Sequence, residues 1–295
     1  MILFAFRLAW RVIIFLLGFY AIYFLVMYAF PYASDRLPLI IVLLLAYCAV
    51  AYVIIPALTR LLRIVIKPNH IPMYVTTADG WPSDPVNIAV VVNSKKHFID
   101  AMRAAGWYTA DPATFKNMLR EAISIIFRTP YPNAPFSSLY LFGRSFDIGF
   151  QMPRHKNMSA HARHHVRFWR LELSEDEDQH KHYSFWHPHV KHLLGTDKEI
   201  WIGAAMDDTG PLALRWRNGQ ITHKNDTNTD NERDFIINSL KNQASIKAMS
   251  DVQATEPFTF HGQQISNRFI CDGSIRVIEL KNPITLKLYN KKNKN

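Results

Sequence analysis

Between Gly219 and Asp234 the chain reads Gly-Gln-Ile-Thr-His-Lys-Asn-Asp-Thr-Asn-Thr-Asp-Asn-Glu-Arg-Asp. His223 offers a base at neutral pH, Asp226, Asp230, Glu232 and Asp234 offer carboxylates, and Arg233 offers a guanidinium. A base, several acids and a cation in one short stretch suit acid–base chemistry or the grip of a small polar ligand. The same stretch suits a well-capped loop, because Thr229-Asp-Asn-Glu232 has the spacing of a capping box: Thr229 would open a helix and Glu232 would reach back to it. A calcium loop is excluded. Asp226, Asn228 and Asp230 alternate as calcium ligands would, but the sixth position is Asn231 instead of glycine and the twelfth is Ile237 instead of glutamate.

Arg163-His-His-Val-Arg-Phe-Trp-Arg170 is a second constellation. In a strand, Arg163, His165, Arg167 and Trp169 share one face and His164, Val166, Phe168 and Arg170 the other. The first face lines up Arg, His and Arg, a ladder suited to an anion such as phosphate. A basic face in water, balanced by neighbouring acids, is the plainer alternative. Nine of the thirteen histidines lie between His155 and His192. Among them His180, His182, His187 and His189 form His-x-His pairs that bind transition metals. No cysteine accompanies them and Glu175-Asp-Glu-Asp178 lies beside them, so residues 172–195 read as a solvated insertion with adventitious metal affinity.

These groups need elements to hold them. Pro85–Val92 is a β-branched run that reads as a buried strand, and Ser94 caps a helix carrying Phe98, Met102 and Ala105 up to Gly106. Asp111-Pro112 opens a second helix to about Phe127. Its apolar face of Phe115, Met118, Leu119, Ala122, Ile125 and Ile126 is expected to pack into the core; exposed, it would be a helix lying on a membrane surface. Ser138–Phe142 and Ser145–Met152 read as a hairpin around Gly143-Arg144. Glu199–Met206 reads as a strand ending in a turn at Asp207-Asp208-Thr209-Gly210. Leu212–Arg217 and Gln220–His223 flank the hairpin signal Asn218-Gly219. A helix carrying Phe235, Ile236, Ser239 and Leu240 follows, then terminal strands at Phe258–Phe260 and Phe269–Leu280. The fold class is α+β, a mixed or antiparallel sheet with a few helices over residues 86–280.

Ahead of this domain, Val12–Phe30 and Leu37–Leu58 contain no charged residue. At about 1.5 Å per residue they extend roughly 28 and 33 Å, enough to cross a hydrocarbon core twice. Residues 1–66 therefore read as a transmembrane hairpin with spans about 12–30 and 37–58, joined by residues 67–85, a proline-rich linker, to the domain. Arg7 and Arg11 precede the first span and Arg60, Arg63 and Lys67 follow the second, against Arg36 alone between them, which puts both termini in the cytoplasm. The net charge of +10 resides at the ends: residues 1–69 carry +5, residues 281–295 carry +5, and the middle is neutral. That distribution argues against nucleic acid as a partner and for anionic membrane lipids. Two distant cysteines, Cys48 and Cys271, imply no disulfide framework.

Several phrases together resemble the LssY C-terminal domain family of bacterial proteins: Asp84-Pro85-Val86-Asn87, Ala104-Ala105-Gly106-Trp107, Ser138-Leu-Tyr-Leu-Phe-Gly-Arg144 after Pro135, His164-His-Val-Arg-Phe-Trp169, Trp201-Ile-Gly-Ala-Ala205, and Gly219-Gln-Ile-Thr-His223 continuing to Glu232-Arg-Asp234. They run in order over about residues 82–280. The family is named after a protein encoded near a type I secretion system, and its members are often joined to lipid-phosphatase-like membrane modules. The resemblance implies an envelope-lipid context and assigns no activity. Where the family pattern reads Ile-Asp-Pro after the histidine, this chain reads Asn225-Asp226-Thr227, keeping the acid and losing the flanking residues.

Two functions fit these residues. In the first, an inner-membrane enzyme hydrolyses or transfers a phosphate-bearing envelope lipid: Arg163, His165, Arg167 and Arg233 hold the anion, and His223 acts as general base, oriented by Asp208, Asp226 or Asp230, with room for a divalent cation. In the second, the cytoplasmic domain is a non-catalytic module that binds a lipid headgroup or a secretion or envelope protein.

Overall fold

In the computed structural model, residues 2–58, 73–78, 80–172, 198–215, 219–243, 245–261 and 268–281 are described. Outside them lie Arg60, Arg63 and Lys67, His180, His182, His187 and His189 with most of the expected insertion, and the basic tail beyond Lys281. The chain divides into two compact units, one of residues 1–70 with Thr77–Trp81 and Leu214–Ile221, the other of the remainder.

In the first unit, helix α1 (Ile2–Phe24) runs through a π-helical turn at Leu25–Ala29 into α2 (Phe30–Ser34), and α3 (Leu39–Cys48) runs into a second π-helical stretch at Ala49–Ile54. Both widened turns lie just ahead of a proline, Pro31 or Pro56. Proline has no N–H for the carbonyl four residues back and its ring crowds that carbonyl. Met27 and Tyr52 are those residues, and widening the turn relieves the clash. Val12–Ser34 and Leu39–Leu58, 23 and 20 residues, are long and apolar enough to cross a membrane by length and composition. The helices approach closely at Gly18, where a Cβ would come within 2.6 Å of the Leu58 side chain. Residues 219–221 join this unit through hydrogen bonds: Gln220 Nε2 donates to the Ala51 carbonyl at 2.8 Å and the Ile221 amide to the Tyr52 hydroxyl at 2.9 Å.

The second unit is the expected α+β domain with a mixed sheet. Its main sheet has eight strands in the order β11-β14-β3-β9-β8-β7-β4, with β10 added on β9. These are β3 (Ile88–Val92), β4 (Tyr108–Thr109), β7 (Ile148–Pro153), β8 (Arg163–Arg170), β9 (Glu199–Leu214), β10 (Ile221–Asn225), β11 (Ile246–Gln253) and β14 (Ser274–Leu280), while β12 (Phe258–His261) and β13 (Arg268–Cys271) pair as a separate ribbon. β14 and β3 run parallel, while β3–β9, β9–β8 and β8–β7 are antiparallel. All five residues of β3 are buried, as its unbroken apolar sequence predicts for a central strand covered on both faces.

On one face lie α4 (Lys95–Ala104) and α6 (Thr229–Asn242), whose Phe98, Met102, Ile236, Ile237 and Leu240 pack on Ile88, Val90, Val166 and Phe168. On the other lies a small sheet of β2 (Pro82–Pro85), β1 (Tyr74–Thr77), β5 (Leu139–Leu141) and β6 (Arg144–Ser145). Its Val75, Leu139 and Leu141 meet Ala89, Val91, Ile202 and Trp169. β5 and β6 form the predicted hairpin, with Phe142 and Gly143 both at positive φ in the two-residue turn.

Four local expectations are corrected. No turn interrupts Asp207–Gly210; β9 continues to Leu214, because each acid finds a partner on its own face of the sheet. The helix expected from Asp111 begins at Phe115 (α5, Phe115–Phe127), capped by Thr114, since the Asp111 carboxylate accepts from the Tyr131 hydroxyl at 2.8 Å. α6 is capped by Asn228, whose side chain accepts from the Asp230 amide. Thr229 Oγ1 donates to the Ile270 carbonyl and Glu232 does not close a capping box. Finally, most of the apolar face of α5 stays outside the core: Ser124 is its one buried residue, and of the expected face only Ile125 packs, half-buried, against Tyr131, Ala134 and Ala160.

Candidate active site

The β8–β9 register builds the polar centre of the domain. Arg163 pairs with Asp208 and His164 with Asp207 across the antiparallel ladder. Directly opposed residues share a face and consecutive residues alternate. The two acids are therefore divided between the faces, with His164 and Asp207 toward α6, and Arg163, His165 and Asp208 toward α5.

On the α6 face, the first turn of that helix adds Glu232. His164 Nδ1 lies 2.7 Å from Glu232 Oε2 and 3.6 Å from Asp207 Oδ1. Arg154, just past the end of β7, donates to Asp207 Oδ2 at 2.8 Å. Phe235, one turn along α6, stacks on the imidazole with centroids 3.9 Å apart and planes within 18°, which fixes the ring's orientation. The Asp226 amide donates to the Asp207 carbonyl at 2.9 Å, bringing a further acid alongside.

This cluster is poorly compensated. Glu232 is only 2% exposed, yet among the described residues its Oε1 has no hydrogen-bond partner, and neither has Asp207 Oδ1. Burial pushes the Glu232 carboxyl well above the ordinary range, and the charges of Asp207 and Asp208 push the same way. Burial also raises Asp207, opposed by His164 and Arg154, and lowers His164. Two carboxyls and an imidazole thus share a place where burial works against the charged form of each. One ligand atom from each of His164, Asp207 and Glu232 lies within 4.8 Å of the others, a nitrogen and two oxygens that suit a divalent transition metal.

On the α5 face the guanidinium charges are paired at close range, although His165 Nδ1 is buried with no hydrogen-bond partner among the described residues. Arg163 Nη2 meets Glu121 of α5 at 2.8 Å, its Nε meets Asp208 at 3.3 Å, and its Nη1 donates to Gln151 Oε1 at 2.9 Å. Arg167 Nη1 meets Asp84 at 2.9 Å, and His165 Nδ1 lies 3.5 Å from Asp208. The Phe136 ring sits among them, with the two guanidinium carbons 5.0 and 4.8 Å from its centroid. Burial drives the His165 imidazole down to about 3, which keeps it neutral. Burial alone would raise Asp208, but the surrounding His165, His223, Arg163 and Arg167 hold it below the ordinary range. His223 completes the group, its Nε2 3.8 Å from Glu121.

The predicted residues therefore fall into three places. Arg163, His165, Arg167, Asp208 and His223 converge on the α5 face. Asp226 joins Asp207 on the other. Asp230 and Arg233 form a third cluster, in which buried Arg233 binds Asp230, Asp234 and Asp272 at 3.0–3.2 Å and ties the start of α6 to the turn before β14. Cys271 stands beside that cluster, but burial pushes its thiol up to about 11 and the Asp230 and Asp272 oxygens already accept hydrogen bonds, so it makes a poor metal site.

Sequence reasoning gave His164, Asp207 and Arg154 no place in a site and offered Glu232 only as one carboxylate of the 219–234 stretch. The alternation that grouped Arg163 with His165 also isolates His164 on the other face, and that was the signal for it. Asp207 was absorbed by the expected turn and Glu232 by the expected cap.

Comparison with known families finds a match to the one described as LssY C-terminus over residues 68–275. No curated protein and no solved structure matches the chain.

Proposed function

The chain belongs to the LssY C-terminus family, and from that footing we propose that it is a membrane-anchored hydrolase or transferase acting on a phosphate-bearing envelope lipid, with a divalent cation held by His164, Asp207 and Glu232. In this reading the apolar hairpin crosses the bacterial inner membrane and the domain works in the cytoplasm. The observation that carries the chemistry is the convergence of three ligand residues within 4.8 Å, with Glu232 Oε1 and Asp207 Oδ1 lacking a hydrogen-bond partner among the described residues. Buried oxygens without partners are rare, and a cation held by these residues would give the cluster a partner. It would also offset the burial that raises both carboxyls.

Held by His164, Asp207 and Glu232, a cation would supply Lewis-acid polarisation of a phosphoryl oxygen. Arg154, 40% exposed at the edge of the cluster, is placed to exchange Asp207 for a phosphate oxygen. Phe235 keeps the imidazole aimed, as outer contacts do around metal ligands. The Arg163, His165 and Arg167 ladder is already matched by Glu121, Asp208 and Asp84, which supports a framework role for it and for His223 in place of anion binding and proton transfer.

The test is metal analysis of the full chain with His180, His182, His187 and His189 replaced by alanine to remove adventitious sites. About one equivalent of Zn²⁺ or Mn²⁺ is expected, with affinity reduced at least 10- to 100-fold in Glu232→Gln. Metal-dependent release of phosphate from phosphatidic acid vesicles is expected to disappear with it. A cation bound without turnover would favour the non-catalytic headgroup module, and no bound cation would overturn the reading.

A further inference from the structure

Helix α5 is folded inside out. Its polar side faces the domain: Ser124 Oγ donates to the Thr129 carbonyl at 2.6 Å and accepts from the Ala160 amide at 3.0 Å, and Glu121 takes Arg163. Its apolar side faces away. Phe115, Met118, Leu119, Ile123, Ile126 and Phe127 follow one another at helical spacing and are 83, 53, 53, 43, 70 and 71% exposed. So many large apolar side chains along one stripe of a 13-residue helix mark an interaction surface.

Charge indicates what covers it. Between Phe115 and Arg128 the one acidic residue is Glu121, and it is turned inward. The exposed charges are Lys116, Arg120 and Arg128, all basic, with the Arg120 guanidinium also lying over the Tyr131 ring at 4.1 Å. An apolar stripe flanked by cations is the pattern of a helix lying in the plane of an anionic lipid surface. Residues 59–72 alone separate the second apolar helix from the described part of the domain, so a bilayer crossed by those helices is within its reach.

We propose that α5 lies in the headgroup layer of the bilayer that anchors the chain, its stripe among the upper acyl chains and Lys116, Arg120 and Arg128 at anionic phosphates. This rests on the anchor reading above. Because Glu121 on the inner side of the same helix holds Arg163 and lies 3.8 Å from His223, the seat of α5 is joined to the buried cluster on that face of the sheet.

The experiment uses the full chain carrying Cys48→Ala, which leaves only buried Cys271 among the native thiols. Phe127→Cys, or Glu256→Cys as an exposed control, is labelled with an environment-sensitive nitrobenzoxadiazole. The chain is placed in nanodiscs of phosphatidylethanolamine and phosphatidylglycerol, with or without headgroup-spin-labelled lipid. A blue-shifted emission at position 127 that the spin-labelled lipid quenches, with the control unchanged, is the expected result. Adding Phe115→Glu and Ile126→Glu is expected to abolish both effects while circular dichroism stays the same. If the chain enters discs but the probe at 127 emits as in water, the α5 proposal falls and the anchor stands. A blue shift without lipid quenching, with two chains per disc, assigns the stripe to a second copy and also overturns it. A chain that does not enter discs overturns the anchor and this inference together.

Discussion

Glu232 and Arg163 are both almost fully buried charged residues, and their surroundings give them opposite roles. Arg163 is met by Glu121, Asp208 and Gln151. Removing one member of such a buried network leaves charges stranded and costs about 3–5 kcal/mol. Arg163→Met is therefore expected to lower stability by that amount in thermal unfolding followed by tryptophan emission, and a change within 1 kcal/mol would show the network to be dispensable. Glu232 has an oxygen without a partner among the described residues and a carboxyl that burial pushes well above its ordinary range. Glu232→Gln is expected to unfold no earlier than the parent in metal-free buffer, because an amide fills the same space without the desolvated charge. Early unfolding of that variant would mark Glu232 as a structural residue. Which carboxylate meets which imidazole is not local information: it depends on a register between strands about forty residues apart, and no spacing within either segment reveals it.

At the scale of elements, what is local in origin could be read from the sequence. Alternation in β8, the Ser94 cap on α4 and the hairpin between β5 and β6 each follow from a few adjacent residues. The misread elements are those where a distant partner overrides a local preference. Asp207-Asp208-Thr209-Gly210 has turn chemistry, yet β8 and β10 on either side hold it extended. Gly203 in the same strand shows how closely the ladder is packed, because a Cβ there would come within 2.4 Å of Phe168 and 2.6 Å of Ile88, its cross-strand neighbours. Gly203→Ala overfills that gap and is expected to cost about 1–3 kcal/mol in equilibrium unfolding. A neutral result would mean that the strands are free to separate there. The amphipathic period of α5 is plain in the sequence, but periodicity cannot say whether an apolar stripe meets protein or lipid.

At the scale of the whole molecule, the domain's response to acid follows from its paired carboxylates. Burial alone would raise Asp272, but hydrogen bonds from Arg233 and Ser274 outweigh it and hold the carboxyl low. Burial of Glu279 is likewise outweighed by Lys198 and Lys247. A carboxyl depressed in the folded state makes unfolding take up protons. Its stabilisation is complete above the ordinary values of 3.8 and 4.5 and is lost as pH falls through the depressed ones. Asp272→Asn with Glu279→Gln is therefore expected to flatten the loss of melting temperature between about pH 5 and pH 3, and an unchanged slope would assign acid sensitivity to other groups. The α+β class and the apolar helices could be read from composition and pattern over long windows, whereas the grouping of polar residues into three separate clusters could not.

Asp207 and Asp208 are adjacent on one strand and serve opposite layers of the domain. Inserting or deleting a single residue upstream in β9 would turn the wrong carboxylate toward each layer, taking Asp208 from Arg163 and Asp207 from His164 in one event. Relatives that keep both clusters are thus expected to tolerate substitutions along β9 far more readily than any change in the number of its residues.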